Sequence, residues 1–158
     1  MIATVSFVPV LRPGEKYKDG RYKSSRRFLD VVIDGDSLWQ SLGKPRDMVS
    51  VLCLDFALPE SLQAVDRLLL KSEADLPNNR RSLFVCAECG DLGCGAVTLS
   101  VRRAGGVKVI WSDFGRENNH EEKVWRDEYR DVGPFEFDAS QYEQAFADAT
   151  KQLKAELK

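Results

Sequence analysis

The order in which strand and helix patterns follow one another constrains the fold of this chain more than any single motif does. Short runs rich in β-branched and aromatic residues recur along the sequence, and most of them follow one another with no helix pattern in between. The runs that predict strands are 4–10, 28–33, 49–54, 82–85, 96–101 and 107–111. A glycine pair joins the last two as a hairpin. Strands that are neighbours in sequence favour an antiparallel sheet.

Two segments show the i, i+3/i+4, i+7 spacing of an amphipathic helix. The first helix is expected over 59–72, with Pro59 in its first turn. The second follows Asp138, which forms a capping-box pattern with Gln141. The apolar stripe of this second helix consists of Tyr142, Phe146, Ala149, Leu153 and Leu157. The sequence therefore predicts an α+β fold in which an antiparallel sheet packs with about two amphipathic helices, as a single domain over 1–158.

Length and charge exclude several classes of partner. A chain of 158 residues can bury about two-thirds of its unfolded surface without disulfides or metal. A net charge of -2 gives no reason to expect nucleic acid as a partner. No apolar run approaches the roughly 20 residues that span a bilayer, and no basic segment precedes the apolar N-terminus as in a signal peptide. We therefore expect a cytoplasmic protein that binds no membrane and whose thiols stay reduced.

Three of the four cysteines fall in the stretch FVCAECGDLGCGAVTL, between two strand patterns. The letters CAECG match the zinc-knuckle form C-x-x-C-G, in which the glycine lets the backbone turn so that amide groups face the sulfurs. Zinc held by Cys86, Cys89 and Cys94 is therefore one hypothesis. A structural zinc site needs four ligands, and the second knuckle is missing. Cys53 or His120 would have to supply the fourth ligand from far along the chain.

Two other interpretations of the cysteines remain open. Dithiol redox chemistry needs an acidic thiol, usually at a helix N-terminus, whereas this motif leads through glycines into a strand. The nearby Glu88 and Asp91 would raise a thiol pKa by like-charge repulsion. The third interpretation is that the cysteines pack as small, partly apolar residues inside a tight turn. We favour this third interpretation, and so expect no cofactor, with zinc as the alternative.

Signals for an enzyme are few. The only histidine, His120, lies in a charged run with no partner that would orient it in a catalytic triad. We expect it to be an exposed loop residue. The sequence therefore predicts no catalytic residues.

Acidic and aromatic residues alternate between positions 113 and 131. Tryptophan and tyrosine are common interface anchors, and a rim of carboxylates can steer a basic partner. The alternative is that Trp125 and Tyr129, four residues apart, both pack into the core. The predicted partner-binding residues are Asp113, Glu117, Glu121, Glu122, Trp125, Asp127, Glu128 and Tyr129.

The stretches VCAECGDLGCGAVTLSV, VIWSDFGRENN and GPFEFDASQYEQAF resemble a family of small bacterial proteins, common in actinobacteria, with a CxxCGDxGCG motif. The resemblance covers most of the second half of the chain and, more loosely, FLDVVIDGDSLWQSLG. Members of this family are mostly uncharacterised and are sometimes labelled "oxidoreductase"; the resemblance supplies no catalytic residues to carry over to this chain. In type, the chain is also similar to the immunity proteins of bacterial contact-dependent toxin systems.

Together these features predict a protein-binding module. The specific hypothesis is an immunity protein that neutralises a polymorphic toxin, such as a nuclease, by covering its basic active site with an acidic face. Two alternatives stay open. One is a thiol oxidoreductase or metal-dependent enzyme built on Cys86, Cys89 and Cys94, and the other is a structural protein stapled by zinc at these thiols.

Overall fold

Strands of very unequal length contribute more residues to this protein than its helices do. The structure is a computed structural model and describes residues 1–156, apart from the side chain of Arg46. The strands are β1 (Ile2–Ala3), β2 (Val5–Arg12), β3 (Glu15–Lys16), β4 (Tyr22–Lys23), β5 (Arg26–Ile33), β6 (Asp36–Ser37), β7 (Val49–Ser50), β8 (Arg80–Val85), β9 (Ala96–Ala104), β10 (Lys108–Glu117) and β11 (Phe135–Asp138). The helices are α1 (Leu38–Ser41), α2 (Leu58–Leu68) and α3 (Ala139–Ala155).

The largest sheet has six strands in the order β1-β11-β10-β9-β8-β7. All neighbours in it are antiparallel except β1 and β11, which run parallel with Ile2 opposite Glu136. The α+β class is therefore confirmed, but the expectation of a purely antiparallel sheet is wrong at this edge. Because β1 and β11 come from opposite ends of the chain, no hairpin fixes their relative direction.

A second sheet, of order β2-β5-β6, is joined to the first by the segment after β7. Val51 donates its amide to Leu83 of β8, and the next residue, Leu52, accepts from the amide of Leu29 in β5. The predicted strand 49–54 is accordingly wrong in length: only Val49–Ser50 form a strand, because the chain then passes from one sheet to the other. This passage buries Val51, Leu52 and Cys53 between the sheets.

Both predicted amphipathic helices are present. Helix α2 ends four residues earlier than expected, and Arg81 donates to the carbonyl oxygen of Arg67 in its last turn and to that of Ser72 beyond its end. Helix α3 begins where predicted, because the carboxylate of Asp138 accepts from the amide of Gln141 at 3.0 Å. The side chain of Gln141 does not complete the capping box. Leu157, the last member of the predicted stripe, lies outside the described residues.

A chain of hydrogen bonds at the centre of the core joins the large sheet to both long helices. Trp111 of β10 donates to the hydroxyl of Tyr142 at 2.9 Å, and that hydroxyl donates to the carbonyl oxygen of Leu68 at 2.6 Å. All three residues are buried, so each polar atom has its partner inside the protein. Among the helices of residues 1–156, none is long and apolar enough to cross a membrane.

Candidate functional site

The loop between β8 and β9, residues 86–95, brings the three cysteines of the motif together. Cys86 accepts the amide of Gly90 at 2.9 Å, which closes the first turn of the loop. Gly90 and Gly95 have φ angles of 71° and 96°, a region in which glycine is favoured. As a result, the sulfur atoms of Cys86, Cys89 and Cys94 all lie within 4.8 Å of one another.

The cluster lies at the protein surface. Cys89 and Cys94 are exposed with their sulfurs 3.5 Å apart, and Cys86 is half-buried. The cysteines lie in a tight glycine-rich turn as expected, but Cys89 and Cys94 are not packed inside it, because the chain leaves the core after buried Ala87. Cys53 is buried away from the cluster, where its thiol contacts the carbonyl oxygen of Arg27 and burial raises its pKa to about 11.

The three clustered thiols differ in acidity. Burial opposes ionisation of Cys86, but hydrogen bonds from the Cys89 and Glu88 amides and from the neighbouring thiols lower its pKa below the ordinary value. The hydrogen bond with Cys89 and the charge on Cys86 raise the pKa of Cys94 to about 12. Repulsion by Glu88 and Asp91 is expected from the sequence to raise the thiol pKa values, but at Cys86 the amides of the turn act in the opposite direction.

Glu88, at the tip of the loop, anchors the cluster to the rest of the protein. Its carboxylate accepts the amide and the hydroxyl of Ser24 at 2.8 and 2.9 Å, and Arg12 at 3.3 Å. These contacts lower the pKa of Glu88, with the Ser24 amide as the largest cause. Arg26 donates to the neighbouring carbonyl of Ala87 at 2.7 Å. The loop is thereby held against β5 and the segment that precedes it.

His120 reaches the same loop from the chain that follows β10. In the antiparallel pairing of β9 and β10, Glu117 lies opposite Ala96, so the residues after Glu117 run beside the residues before Ala96. The Nε2 atom of exposed His120 lies 3.0 Å from the position that a Cβ atom on Gly93 would occupy. His120 follows Cys94 by 26 positions in the sequence, but the histidine and the cysteine motif are neighbours in space.

Two acidic residues of the predicted partner-binding surface form ion pairs within the protein. Glu117 is buried and accepts Arg80 Nε at 2.6 Å and Thr98 Oγ1 at 2.6 Å. Asp113 accepts Arg126 and Arg80, and these contacts lower its pKa against the opposing effect of burial. Neither Asp113 nor Glu117 is therefore an unpaired surface charge.

The aromatic residues of this segment are also partly withdrawn from solvent. Tyr129 is buried, as the core-packing alternative expects, and Trp125 is half-buried. The Arg116 guanidinium lies 4.7 Å from the centre of the Trp125 ring, and Lys123 Nζ lies 5.2 Å from it. The remaining predicted partner-binding residues, Glu121, Glu122, Asp127 and Glu128, are exposed, and Asp127 pairs with Arg130 at 2.7 Å.

A groove with an acidic rim lies where residues 128–135 approach the β5–β6 turn and α1. Its volume is about 650 Å³, and we call it the acidic groove. Its carboxylates are those of Asp34, Asp36, Glu128 and Asp131, and its apolar lining comes from Ile33, Leu38, Leu42, Val132, Pro134 and Phe135. No lysine or arginine occurs among the described residues that line it. Glu128 is one of the predicted partner-binding residues and Asp131 ends the predicted acidic segment, but no sequence pattern indicates Asp34 and Asp36, because nothing local places the β5–β6 turn beside residue 128.

Comparisons with known proteins add no relative to this description. Protein-family models, curated proteins and solved structures were each compared with the chain, and none of the three comparisons produced a match.

Proposed function

We propose that the protein works by binding a basic segment of another protein in the acidic groove. The observation that supports this most is the composition of the groove, in which four carboxylates surround an apolar lining without a lysine or arginine among its described residues. A partner with lysine or arginine side chains on either side of an apolar anchor would complement both features.

The two parts of the groove would act at different stages of binding. The exposed carboxylates would attract the basic partner and accelerate the encounter, an effect that salt weakens. The apolar lining, which includes the half-buried Leu42, Val132 and Phe135, would then bury an apolar side chain and slow dissociation. Affinity would thus depend on both charge and shape.

Neutralisation of a bacterial toxin is the biological setting that suits such a groove. Proteins that bind nucleic acid neutralise phosphates with lysine and arginine, so the active site of a nuclease toxin is a basic surface. A small protein with an acidic groove can occlude that surface by direct binding, with no chemistry of its own. In this form of the immunity-protein hypothesis, the toxin-binding surface is the acidic groove, which includes Glu128, rather than the whole segment 113–129.

The groove can be tested with a fluorescent peptide that alternates arginine and leucine. The triple variant Asp36→Lys, Glu128→Lys and Asp131→Lys reverses three exposed carboxylates of the rim. We expect it to bind the peptide at least about tenfold more weakly at low salt, mainly through slower association. The difference between variant and wild type should shrink as salt is raised.

A control variant with the same change in net charge separates the groove from general electrostatics. Glu73→Lys, Glu121→Lys and Glu122→Lys reverse three exposed carboxylates that do not line the groove. We expect this variant to retain most of the affinity. Equal weakening by both triple variants would refute the groove as the binding site, and failure of the wild type to bind any basic peptide would refute the function.

The toxin setting needs its own experiment. The proteins encoded by neighbouring genes can be expressed singly in a host cell and scored for growth inhibition. We expect one of them to be a basic toxin whose effect the wild-type protein suppresses and the rim variant does not. If no neighbouring product inhibits growth, or if both variants protect equally, the immunity hypothesis is wrong.

A further inference from the structure

We propose that Cys86, Cys89 and Cys94, together with His120, bind one zinc ion that joins the β8–β9 loop to the segment after β10. The three sulfurs already converge within 4.8 Å, and the histidine ring lies over the same loop. A Cys₃His set of this kind is one of the standard structural zinc sites. The inference is independent of the acidic groove, because neither the cysteines nor His120 lines it.

The spacing of the sulfurs suits zinc. Zinc–sulfur bonds are about 2.3 Å long, so two thiolates on a tetrahedral ion lie about 3.8 Å apart. The Cys89 and Cys94 sulfurs are 3.5 Å apart, and none of the three separations exceeds 4.8 Å. Small side-chain rotations are therefore enough to bring the sulfurs to bonding distance. Soft thiolate ligands favour zinc over magnesium or calcium.

The backbone around the sulfurs supplies the outer contacts that a metal–thiolate site needs. The amide of Asp91 points at the Cys89 sulfur, 3.4 Å away. The Asp91 carboxylate in turn accepts the amide of Gly93 at 2.8 Å and fixes the turn that presents Cys94. Such contacts orient first-shell ligands and stabilise negative charge on sulfur. They also explain why the loop can hold exposed thiols at a fixed separation.

His120 is the residue we propose as the fourth ligand; its nitrogen atoms do not lie within 4.8 Å of all three sulfurs, so the ring has to swing toward them. Its Nε2 atom lies 3.0 Å from the Cβ position of Gly93, the residue immediately before Cys94, and the side-chain oxygens of Asp91 and Asn119 lie 3.3 and 3.4 Å from the same position. The side-chain amide oxygen of Asn118 accepts the backbone amides of both His120 and Glu121 at 2.9 Å, which fixes the turn that presents the ring. Cys53, the other candidate, is buried in a separate contact with Arg27.

The first experiment measures zinc content and ligand type. The full chain, purified under reducing conditions, is given zinc and analysed by mass spectrometry under native conditions and by X-ray absorption spectroscopy. We expect one zinc per chain with three sulfur ligands and one nitrogen ligand. A chain that takes up no zinc, or that forms a Cys89–Cys94 disulfide and stays metal-free under these reducing conditions, would overturn the proposal.

Substitutions identify the ligands through competition with a chromophoric chelator. Changes outside the first shell often weaken zinc binding by about 10- to 100-fold, so Cys89→Ser should weaken it by more than about 100-fold. His120→Ala, at an exposed position, should leave the protein folded and replace the nitrogen ligand by water. Cys53→Ala is the matched control: it removes a thiol outside the cluster, and zinc affinity should not change.

Gly93→Ala tests the position of the histidine without removing a ligand. The added methyl group would lie 3.0 Å from His120 Nε2, so the ring has to move. We expect zinc to keep its three sulfur ligands while the nitrogen ligand is lost or weakened. If His120→Ala and Gly93→Ala both keep wild-type affinity and the same nitrogen signal, His120 is not a ligand and that part of the proposal fails.

Discussion

Replacing Arg80 by methionine should be among the most destabilising single changes in this protein. The Arg80 and Glu117 side chains are 2% and 6% exposed, and their N–O distance is 2.6 Å. Arg80 also donates to the hydroxyl of Thr98 at 3.0 Å and to the carbonyl oxygen of Asp113 at 2.7 Å. Methionine keeps much of the side-chain length but leaves the Glu117 charge buried with one hydroxyl donor.

The magnitude follows from the cost of an unpaired buried charge. Removing one partner of a buried ion pair costs about 3–5 kcal/mol, whereas replacing both partners by apolar residues is often close to neutral. We therefore expect Arg80→Met to lower the free energy of unfolding by about 3–5 kcal/mol. The double variant Arg80→Met/Glu117→Leu should be more stable than Arg80→Met alone, with a coupling energy of at least about 1 kcal/mol.

Urea unfolding measures both quantities, with the fluorescence of buried Trp111 as a probe of the core. Arg130→Met is the control, because Arg130 and Asp127 form a surface pair whose side chains are 69% and 90% exposed. This control should cost less than about 1 kcal/mol. The reasoning is refuted if Arg80→Met costs no more than the control, or if the losses of Arg80→Met and of the single variant Glu117→Leu simply add in the double variant.

Three further predictions concern single positions. Because the folded-state pKa of Asp113 is lowered, its contribution to stability is present above its unfolded pKa of about 4 and is lost as pH falls through the folded value. Urea unfolding at a series of pH values should therefore show that Asp113→Asn makes the free energy of unfolding less dependent on pH in this acid range. Gly115→Ala places a methyl group 2.5 Å from Val124 Cγ1, so calorimetry should show a loss of about 1–3 kcal/mol. Gln141→Leu unpairs both backbone groups of Val5, at 3.1 and 2.6 Å from the side chain, and should increase amide exchange in β2.

Features with a local cause could be predicted from the sequence. Helix α3 starts at its capping aspartate, and the β9–β10 hairpin turns at its glycine pair, because each depends on residues a few positions apart. The short strand β1 and the passage of residues 51–54 between sheets depend on partners far along the chain. No pattern within either segment identifies those partners, so the parallel edge and the shortened strand could not be predicted.

The same distinction applies to the candidate sites. Three cysteines within a single glycine-rich turn lie close together because the turn is short, and the knuckle pattern identified them. Their exposure was not predictable, since it depends on where the sheet ends. The burial of Glu117 in the acidic segment could not be predicted for a related reason. The composition of the segment does not reveal that Arg80, 37 positions before Glu117, pairs with that carboxylate away from the surface.

A bulge in β10 connects the ion network with both candidate sites. Between Ser112 and Gly115 the pairing with β9 gains one residue, and Asp113 adopts a φ of 55° at this point. A one-residue change of register turns every later side chain to the opposite face of the sheet. The bulge therefore sets the face on which Glu117 meets Arg80 and determines where the chain leaves the sheet beside Gly93.

From that exit the chain supplies His120 to the cysteine loop and then residues 128–135 to the acidic groove. Asp113 contributes again, because it holds Arg126 at 2.6 Å just before the groove begins. Disruption of the Arg80 network should consequently disturb zinc binding and partner binding together, whereas a change in either site should leave the other intact. Stability and the two proposed functions are thus coupled through β10, although no ligand of the proposed zinc ion lines the groove.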